Sequence, residues 1–186
     1  MKNIWEVWTS ALSSDECDDI ISRASSYPER DATVGFLEHN RVDKGLRESS
    51  VRWLSPKAEG GLVNRLMEFV LSSNRTNFGF DIVAPFQLQF TEYHGSKKGK
   101  YGWHHDVQLN GPAPYDRKLS VVVQLSDPES YEGGEFEFST VQHPGAVFQP
   151  RGSLLIFPSF LQHRVLPVTK GIRHSLVTWI EGPKWR

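Results

Sequence analysis

The sequence predicts a mainly β protein with α, a double-stranded β-helix (jelly roll) core braced by N-terminal helices. Two observations carry this reading. Apolar residues recur at helical spacing in the N-terminal third, and from residue 80 onwards the period falls from about 3.6 to about 2. Many short strands then follow one another with turn residues between them, the pattern of a double-sheet fold. Nothing repeats at a fixed period and no linker divides the chain. Residues 1–186 therefore read as one domain, with 1–75 as helical brace and edge strands and 80–182 as jelly-roll core.

Residues 4–8 read as a short strand. Ser13-Ser14-Asp15-Glu16 is a capping box, with Ser13 as N-cap and Glu16 at the third helical position. Cys17, Ile20, Ile21 and Ala24 then recur at helical spacing, so 14–26 is expected to be an amphipathic helix over a sheet. Cys17 lies on its apolar stripe and reads as a buried small residue. Residues 28–46 are charged and aperiodic, a loop. Residues 47–54 form a strand with Val51 and Trp53 on one face. Ser55-Pro56 could open a helix, Gly60-Gly61 interrupts it, and the firm helix starts near Leu62. Leu66, Phe69 and Val70 continue its stripe as far as Ser73, where Ser72-Ser73-Asn74 ends it.

In 85–93, Phe86, Leu88 and Phe90 alternate with Gln87, Gln89, Thr91 and Tyr93. The apolar face packs under the helices. The polar face is either solvated or the polar interior of a barrel around a bound anion, with Tyr93 donating to it. Residues 94–100 hold two glycines and three lysines and read as a mobile, solvated loop. Asn110-Gly111-Pro112-Ala113-Pro114 is a turn or lid signal. Residues 117–125 are a strand with Ser120, Val122 and Gln124 on one face. Glu135-Phe136-Glu137-Phe138 turns both Phe inward, and 153–157 suits a strand buried on both faces. Residues 162–168 and 173–180 are the last strands, separated by Thr169-Lys170-Gly171.

Bulk properties narrow the class. Of 186 residues, 38% are hydrophobic and 12% aromatic, which suits a folded core and not a disordered chain. A net charge of −1 provides no global field for nucleic acid or an anionic membrane. Cys17 is the only cysteine, so no intramolecular disulfide forms. The first residues carry no signal-peptide core, and no apolar run reaches the length of a membrane span. A cytoplasmic setting is expected.

The chemistry centres on Tyr101-Gly102-Trp103-His104-His105-Asp106. In a strand, His104 and Asp106 face the same way and His105 the other. Alone the triplet is a weak signal, because such triplets occur by chance. His163 is the best third ligand, and two His with one carboxylate is the facial arrangement of non-haem Fe(II) oxygenases. Arg173, Ser175, Val177 and Trp179 share a face of the last strand. A buried Arg173 needs an anion, and a small-molecule carboxylate would pair with it in a bidentate manner, with Ser175 adding a hydroxyl.

Together these segments resemble the Fe(II)/2-oxoglutarate-dependent dioxygenases, within them the prolyl 4-hydroxylase-like branch. The likeness lies in Tyr101 to Asp106, in Tyr131-Glu132-Gly133-Gly134-Glu135-Phe136, in Gly152 to Pro158, and in His163 through Arg173 to Trp179. It covers 85–182 closely and the N-terminal helices loosely. The resemblance implies His104, Asp106 and His163 as iron ligands and Arg173 as the partner of the distal carboxylate of 2-oxoglutarate. It further implies cosubstrate contacts from Tyr93, and Phe136 and Trp179 as pocket walls. Gln124 departs from the pattern, since some relatives carry a cosubstrate-binding tyrosine there. Arg173 stands where collagen-type relatives have lysine. Tyr101 and Trp103 are candidates for the substrate cleft.

The implied reaction uses Fe(II), 2-oxoglutarate and O2, with ascorbate as a further reductant. An unactivated C–H bond is hydroxylated, with succinate and CO2 as coproducts. Asp106 argues against a halogenase, since related halogenases give up that carboxylate to make room for halide. The expected substrate is a peptide or protein containing proline, with a free amino acid or other small molecule as the alternative. Nucleic-acid demethylases carry a second Arg six residues after the cosubstrate arginine, and here Trp179 stands there. A non-catalytic jelly-roll module would have lost a ligand or the arginine, and all are present. His39, His94, His105, His143 and His174 read as surface or hydrogen-bonded histidines, and Arg164 points away from the metal.

Overall fold

A computed structural model describes residues 2–35, 40–83, 87–107, 109 and 112–185. The expectations for Pro85, Phe86, Asn110 and Gly111 lie outside these residues. Two helices, α1 (Ser14–Ala24) and α2 (Gly60–Ser73), cover one face of a large sheet, and a small sheet covers the other. The large antiparallel sheet runs β1 (Glu6–Trp8), β10 (Leu154–Pro158), β7 (Tyr115–Gln124), β12 (Val168–Pro183), β5 (Leu88–His94), β4 (Ser50–Leu54), β2 (Arg30–Asp31). A further strand, β8 (Tyr131–Gly133), pairs with the start of β12. The small sheet runs β3 (Arg47–Glu48), β6 (Lys100–His104), β11 (His163–Val165), β9 (Phe136–Phe138). The expected mainly β jelly roll is what forms.

The period-2 pattern explains the two cores. Leu88, Phe90, Leu119, Val121, Val123, Leu154, Ile156, Leu176 and Ile180 face the helices. Their neighbours Tyr93, Val122, Leu155 and Phe157 face the small sheet. A sheet covered on both sides needs strands that are apolar throughout, and all five residues of β10 are buried. In α1, Ser13 Oγ accepts from the Glu16 N–H at 3.1 Å, and Glu16 Oε2 accepts from the Ser13 N–H at 2.7 Å. Behind this capping box, Cys17, Ile20 and Ala24 are buried against the sheet.

Four local expectations need correction. The run from Arg47 to Leu54 is two strands, because the chain crosses from the small sheet to the large one at Ser49. Gly60-Gly61 does not interrupt α2 but begins it, and the helix runs past Ser73 into a π turn (Asn74–Phe78) capped by Gly79 at φ 70°. Thr169-Lys170-Gly171 does not separate two strands. It belongs to β12, where it pairs with β8 before the strand moves on to β5 and β7. Residues 94–100 form a tight turn, not a loose loop. Lys98 N–H donates to Gly95 O at 3.0 Å, and Gly99 O accepts from Val168 N–H at 2.8 Å. A Cβ at Gly95 would stand 2.6 Å from the Lys170 backbone, so the glycine permits the close approach.

Candidate active site

The inner face of β5 resolves the choice left by its pattern. Gln89, Thr91 and Tyr93 are buried, so this is polar interior and not a solvated surface. Gln89 Oε1 accepts from Arg47 Nη2 at 2.8 Å, and Arg47 is itself only 6% exposed.

His104 ends β6, and its register partner is His163 at the start of β11. A bulge in this pairing shifts the register between His104 and Tyr101. Residues three apart in a regular strand face opposite ways, whereas the bulge turns both rings to one side. Tyr101 stacks on His104 with centroids 3.4 Å apart and planes at 12°. The Arg47 guanidinium lies over the Tyr101 ring, 4.4 Å from its centroid. Burial pushes the Tyr101 hydroxyl up to about 12.

Asp106 stands beyond the end of β6, so strand alternation alone does not place it. Its N–H donates to Ser159 O at 3.0 Å, and its Oδ2 accepts from the Ser120 hydroxyl of β7 at 2.7 Å. These contacts aim the carboxylate at both histidines. His104 Nε2 lies 3.7 Å from Oδ1, and His163 Nε2 lies 3.5 Å from Oδ2. The ligand atoms of all three residues fall within 4.8 Å of one another. Bonds of about 2.1 Å to one ion would put neighbouring ligand atoms about 3.0–3.4 Å apart, a contraction of tenths of an ångström for each carboxylate–imidazole pair.

The tautomers suit a cation. His104 Nδ1 contacts Gly102 O at 2.8 Å, and His163 Nδ1 contacts Leu161 O at 2.9 Å. A carbonyl can only accept, so each Nδ1 carries the proton and each Nε2 presents a lone pair. Burial, reinforced by His163, depresses His104 to about 3, and burial also depresses His163. Burial opposes the charge on Asp106, but the two histidines, Arg117 and Ser120 overcome it and hold the carboxyl at about 2. Two neutral imidazoles and one carboxylate thus face one another in a buried space.

Arg173 of β12, 2% exposed, pairs in register with Tyr93 and lines the same cavity as the cluster. Its Nη1 is buried with no hydrogen-bond partner. Tyr93, Ser175, Val122, Val177 and Phe136 also line this cavity, with Phe136 stacked on His163 at 5.2 Å. A 2-oxo dicarboxylate fits these residues, since the lone donor of Arg173 and the three ligand atoms sit at one cavity.

Some expected residues fall elsewhere. Trp179 does not line the cavity with Arg173. It pairs in register with Ser120, lies 6.2 Å from Trp53 and has the Arg117 guanidinium 3.9 Å over its ring. Its Nε1 is buried with no partner. Tyr101 packs on His104, whereas Trp103 is 37% exposed under Arg164. His105 contacts Phe160 O away from the cluster, and Arg164 pairs with Glu137 at 2.7 Å. The sequence reading gave no site role to Arg47, Arg117, Ser120 or Tyr131, although Tyr131 stands in a segment that carries the resemblance. Only Ser120 carried a usable signal, its parity with Val122 and Gln124 on an inward face.

A jelly roll enclosing a buried His–Asp–His set has the layout of a metal-dependent oxygenase. Residues 88–181 match the 2OG-Fe(II) oxygenase superfamily, and the chain belongs to it. That membership implies Fe(II), 2-oxoglutarate and O2. A PKHD-type hydroxylase from Hyphomonas neptunium is 47% identical over 84 residues, 44% of this chain and 38% of that protein. The match thus spans less than half of that relative's length. Among solved structures, the viral collagen prolyl hydroxylase of Paramecium bursaria Chlorella virus-1, in its 2OG complex, is similar with a TM-score of 0.71. It is 21% identical, and the match covers 97% of each chain. A Trichoplax adhaerens prolyl hydroxylase, in complex with a hypoxia inducible factor peptide, reaches a TM-score of 0.71 at 17% identity. That match covers 96% of this chain and 83% of the other. At such identities the likeness establishes the fold. Among the described residues, no helix is long and apolar enough to cross a membrane.

Proposed function

We propose that this protein is an Fe(II)- and 2-oxoglutarate-dependent dioxygenase that hydroxylates a prolyl residue in a peptide or protein. One observation carries the reading: the His104–Asp106–His163 cluster shares its cavity with a buried Arg173 whose Nη1 has no partner. His104 and His163 would hold Fe(II) through Nε2, and Asp106 through a carboxylate oxygen. Arg173 would pair with the distal carboxylate of 2-oxoglutarate, with Tyr93 and Ser175 beside it. Once bound, the metal and cosubstrate would supply oxidative chemistry with O2, one oxygen atom entering the C–H bond as hydroxyl and the other entering succinate as CO2 leaves.

The chain's own contribution is placement and dryness. The carbonyls of Gly102 and Leu161 fix both imidazoles, and Ser120 fixes the carboxylate. Phe136 and Phe157 pack on His163 and keep water from that side. The substrate would lie on the side of Trp53 and Trp179, which Ser120, paired with Trp179 and bonded to Asp106, links to the cluster. There an aromatic pair suits a pyrrolidine ring, and the free Trp179 N–H can donate to a backbone carbonyl. Proline populates an extended conformation before binding, which lowers the ordering cost. The names of the similar proteins point the same way.

The test is succinate formation from 2-oxoglutarate in air with added Fe(II) and ascorbate. Mass spectrometry of proline-containing peptides for one added oxygen atom accompanies it. Proline peptides should turn over faster than free proline. Efficient hydroxylation of a free amino acid with no activity on a broad proline-peptide library rejects the prolyl substrate and leaves the cosubstrate chemistry standing.

A further inference from the structure

Gln124 ends β7, is 1% exposed and pairs in register with Ser175. One end of its amide meets the Tyr131 hydroxyl, while the other end is buried with no partner. Arg173 Nη1 is buried and equally without a partner. Gln124 and Tyr131 do not line the cavity of the His–Asp–His cluster; with Arg173 they line a second one, of about 220 Å3, and the two cavities share Arg173 and Phe136. A buried polar atom left unpaired costs about 1–3 kcal/mol, so two at one cavity point to a ligand.

The amide can be oriented two ways, because its oxygen and nitrogen are told apart only by their hydrogen bonds. A tyrosine hydroxyl donates and accepts, so either orientation keeps the Tyr131 contact. With the nitrogen on Tyr131, the free end is an oxygen, which would repel a carboxylate. With the oxygen on Tyr131, the phenol donates to Oε1 and the free end becomes Nε2–H2. Two unpaired donors, Nε2 and Arg173 Nη1, then face one cavity.

The backbone of β8 brings Tyr131 there. Gly134, at φ 72°, follows that strand, and a Cβ on it would stand 2.9 Å from Arg173 Cδ and 3.6 Å from the Tyr131 ring. Glycine at this point lets the tyrosine, the strand end and the arginine stem pack together.

We propose that Tyr131 is a positioning residue that turns the Gln124 amide so that Nε2 joins Arg173 on the distal carboxylate of 2-oxoglutarate. The inference rests on the cosubstrate reading above and deepens it. Tyr131 acts through Gln124, so its loss should affect only ligands that have a distal carboxylate.

The experiment measures binding to Mn(II)-loaded protein by calorimetry, for 2-oxoglutarate and for 2-oxobutyrate, which shares the 2-oxo acid head but has no distal carboxylate. Tyr131→Phe should raise the Kd for 2-oxoglutarate about tenfold and leave that for 2-oxobutyrate within about twofold. Gln124→Glu keeps the side-chain volume, and should raise the 2-oxoglutarate Kd more than about a hundredfold with the same sparing of 2-oxobutyrate. This second variant carries the test if Tyr131→Phe fails to fold. Adding Tyr131→Phe to Gln124→Glu should cost little more, since both act at one amide. Equal weakening of both ligands, or no change in either, overturns the proposal. If the unaltered protein binds 2-oxobutyrate but not 2-oxoglutarate more tightly, the distal-carboxylate site itself fails, and a protein that binds neither removes the cosubstrate reading.

Discussion

Replacing Ser120 with alanine tests the metal site without touching a ligand. Ser120 is fully buried, and its hydroxyl donates to Asp106 Oδ2 at 2.7 Å while contacting Ser159 Oγ at 2.9 Å. A hydrogen bond to a charged group contributes about 1.5–3 kcal/mol. Losing an outer partner of a metal ligand costs about 10–100-fold in affinity, or about 1.4–2.7 kcal/mol, in the same range. The two losses are not independent. The Ser120–Asp106 bond is made without metal, so part of its energy appears as fold stability and only the remainder as metal affinity. We therefore expect Ser120→Ala to weaken Mn(II) binding about tenfold in calorimetry. The metal-free melting temperature should fall by at most about 6 °C for a chain of this size, since about 1.4 kcal/mol of the bond appears as affinity. Ser159→Ala leaves the bond to Asp106 in place and should change Mn(II) affinity less than about threefold. A lowered melting temperature with unchanged Mn(II) affinity would refute the reasoning, because Asp106 would then be held only for the fold.

Three further outcomes follow from other residues. His163→Ala should abolish turnover and lower bound metal while circular dichroism stays near that of the unaltered protein, and normal turnover would remove His163 from the site. Arg173→Ala should weaken 2-oxoglutarate binding by about 2–5 kcal/mol with little change in Mn(II) affinity, and an unaltered affinity for the cosubstrate would remove Arg173. Glu92 accepts from His174, and this contact, aided by Arg52, lowers its pKa below 4.5 against the opposing effect of burial. A lowered folded-state value means that stabilisation is complete above the unfolded value and lost as pH falls through the folded one. Glu92→Gln should thus lower the melting temperature near neutral pH, and the difference should close as the medium is acidified below 4.5. A gap that persists unchanged in acid would show that charge is not what Glu92 contributes.

The fold was legible where each segment's period matched the face it buries. Leu88, Phe90, Val121, Val123 and Leu176 alternate cleanly, and every one faces the helices. The capping box of Ser13 and Glu16 is local chemistry, so its position could be read directly. The errors came where backbone geometry depends on partners distant in sequence. Gly95 and Gly171 look like loop signals, yet at both another stretch of backbone passes too close for a Cβ, the Lys170 backbone of β12 in one case and Ser130 O of a 3-10 turn in the other. Short-range patterns cannot distinguish a glycine that frees the chain from one that admits a neighbour.

The site divides along the same line, and the division has a consequence for how it works. His104, Asp106, His163 and Arg173 were legible because each is a chemically conspicuous residue at a telling spacing. The residues that aim them were not. Ser120 and Tyr131 are ordinary strand residues whose role depends on register, and Gln124 was marked only as a departure from the family pattern: Gln124 lies opposite Ser175, Trp179 lies opposite Ser120, and Tyr131 reaches Gln124 only because β8 pairs with the start of β12. Tyr101 meets His104 only through a bulge that no alternation forecasts. The conspicuous residues supply charge and lone pairs, while the ordinary ones decide where these point. Mutations in the second group should therefore alter affinity and selectivity by factors of ten while leaving a recognisable His–Asp–His–Arg pattern in the sequence.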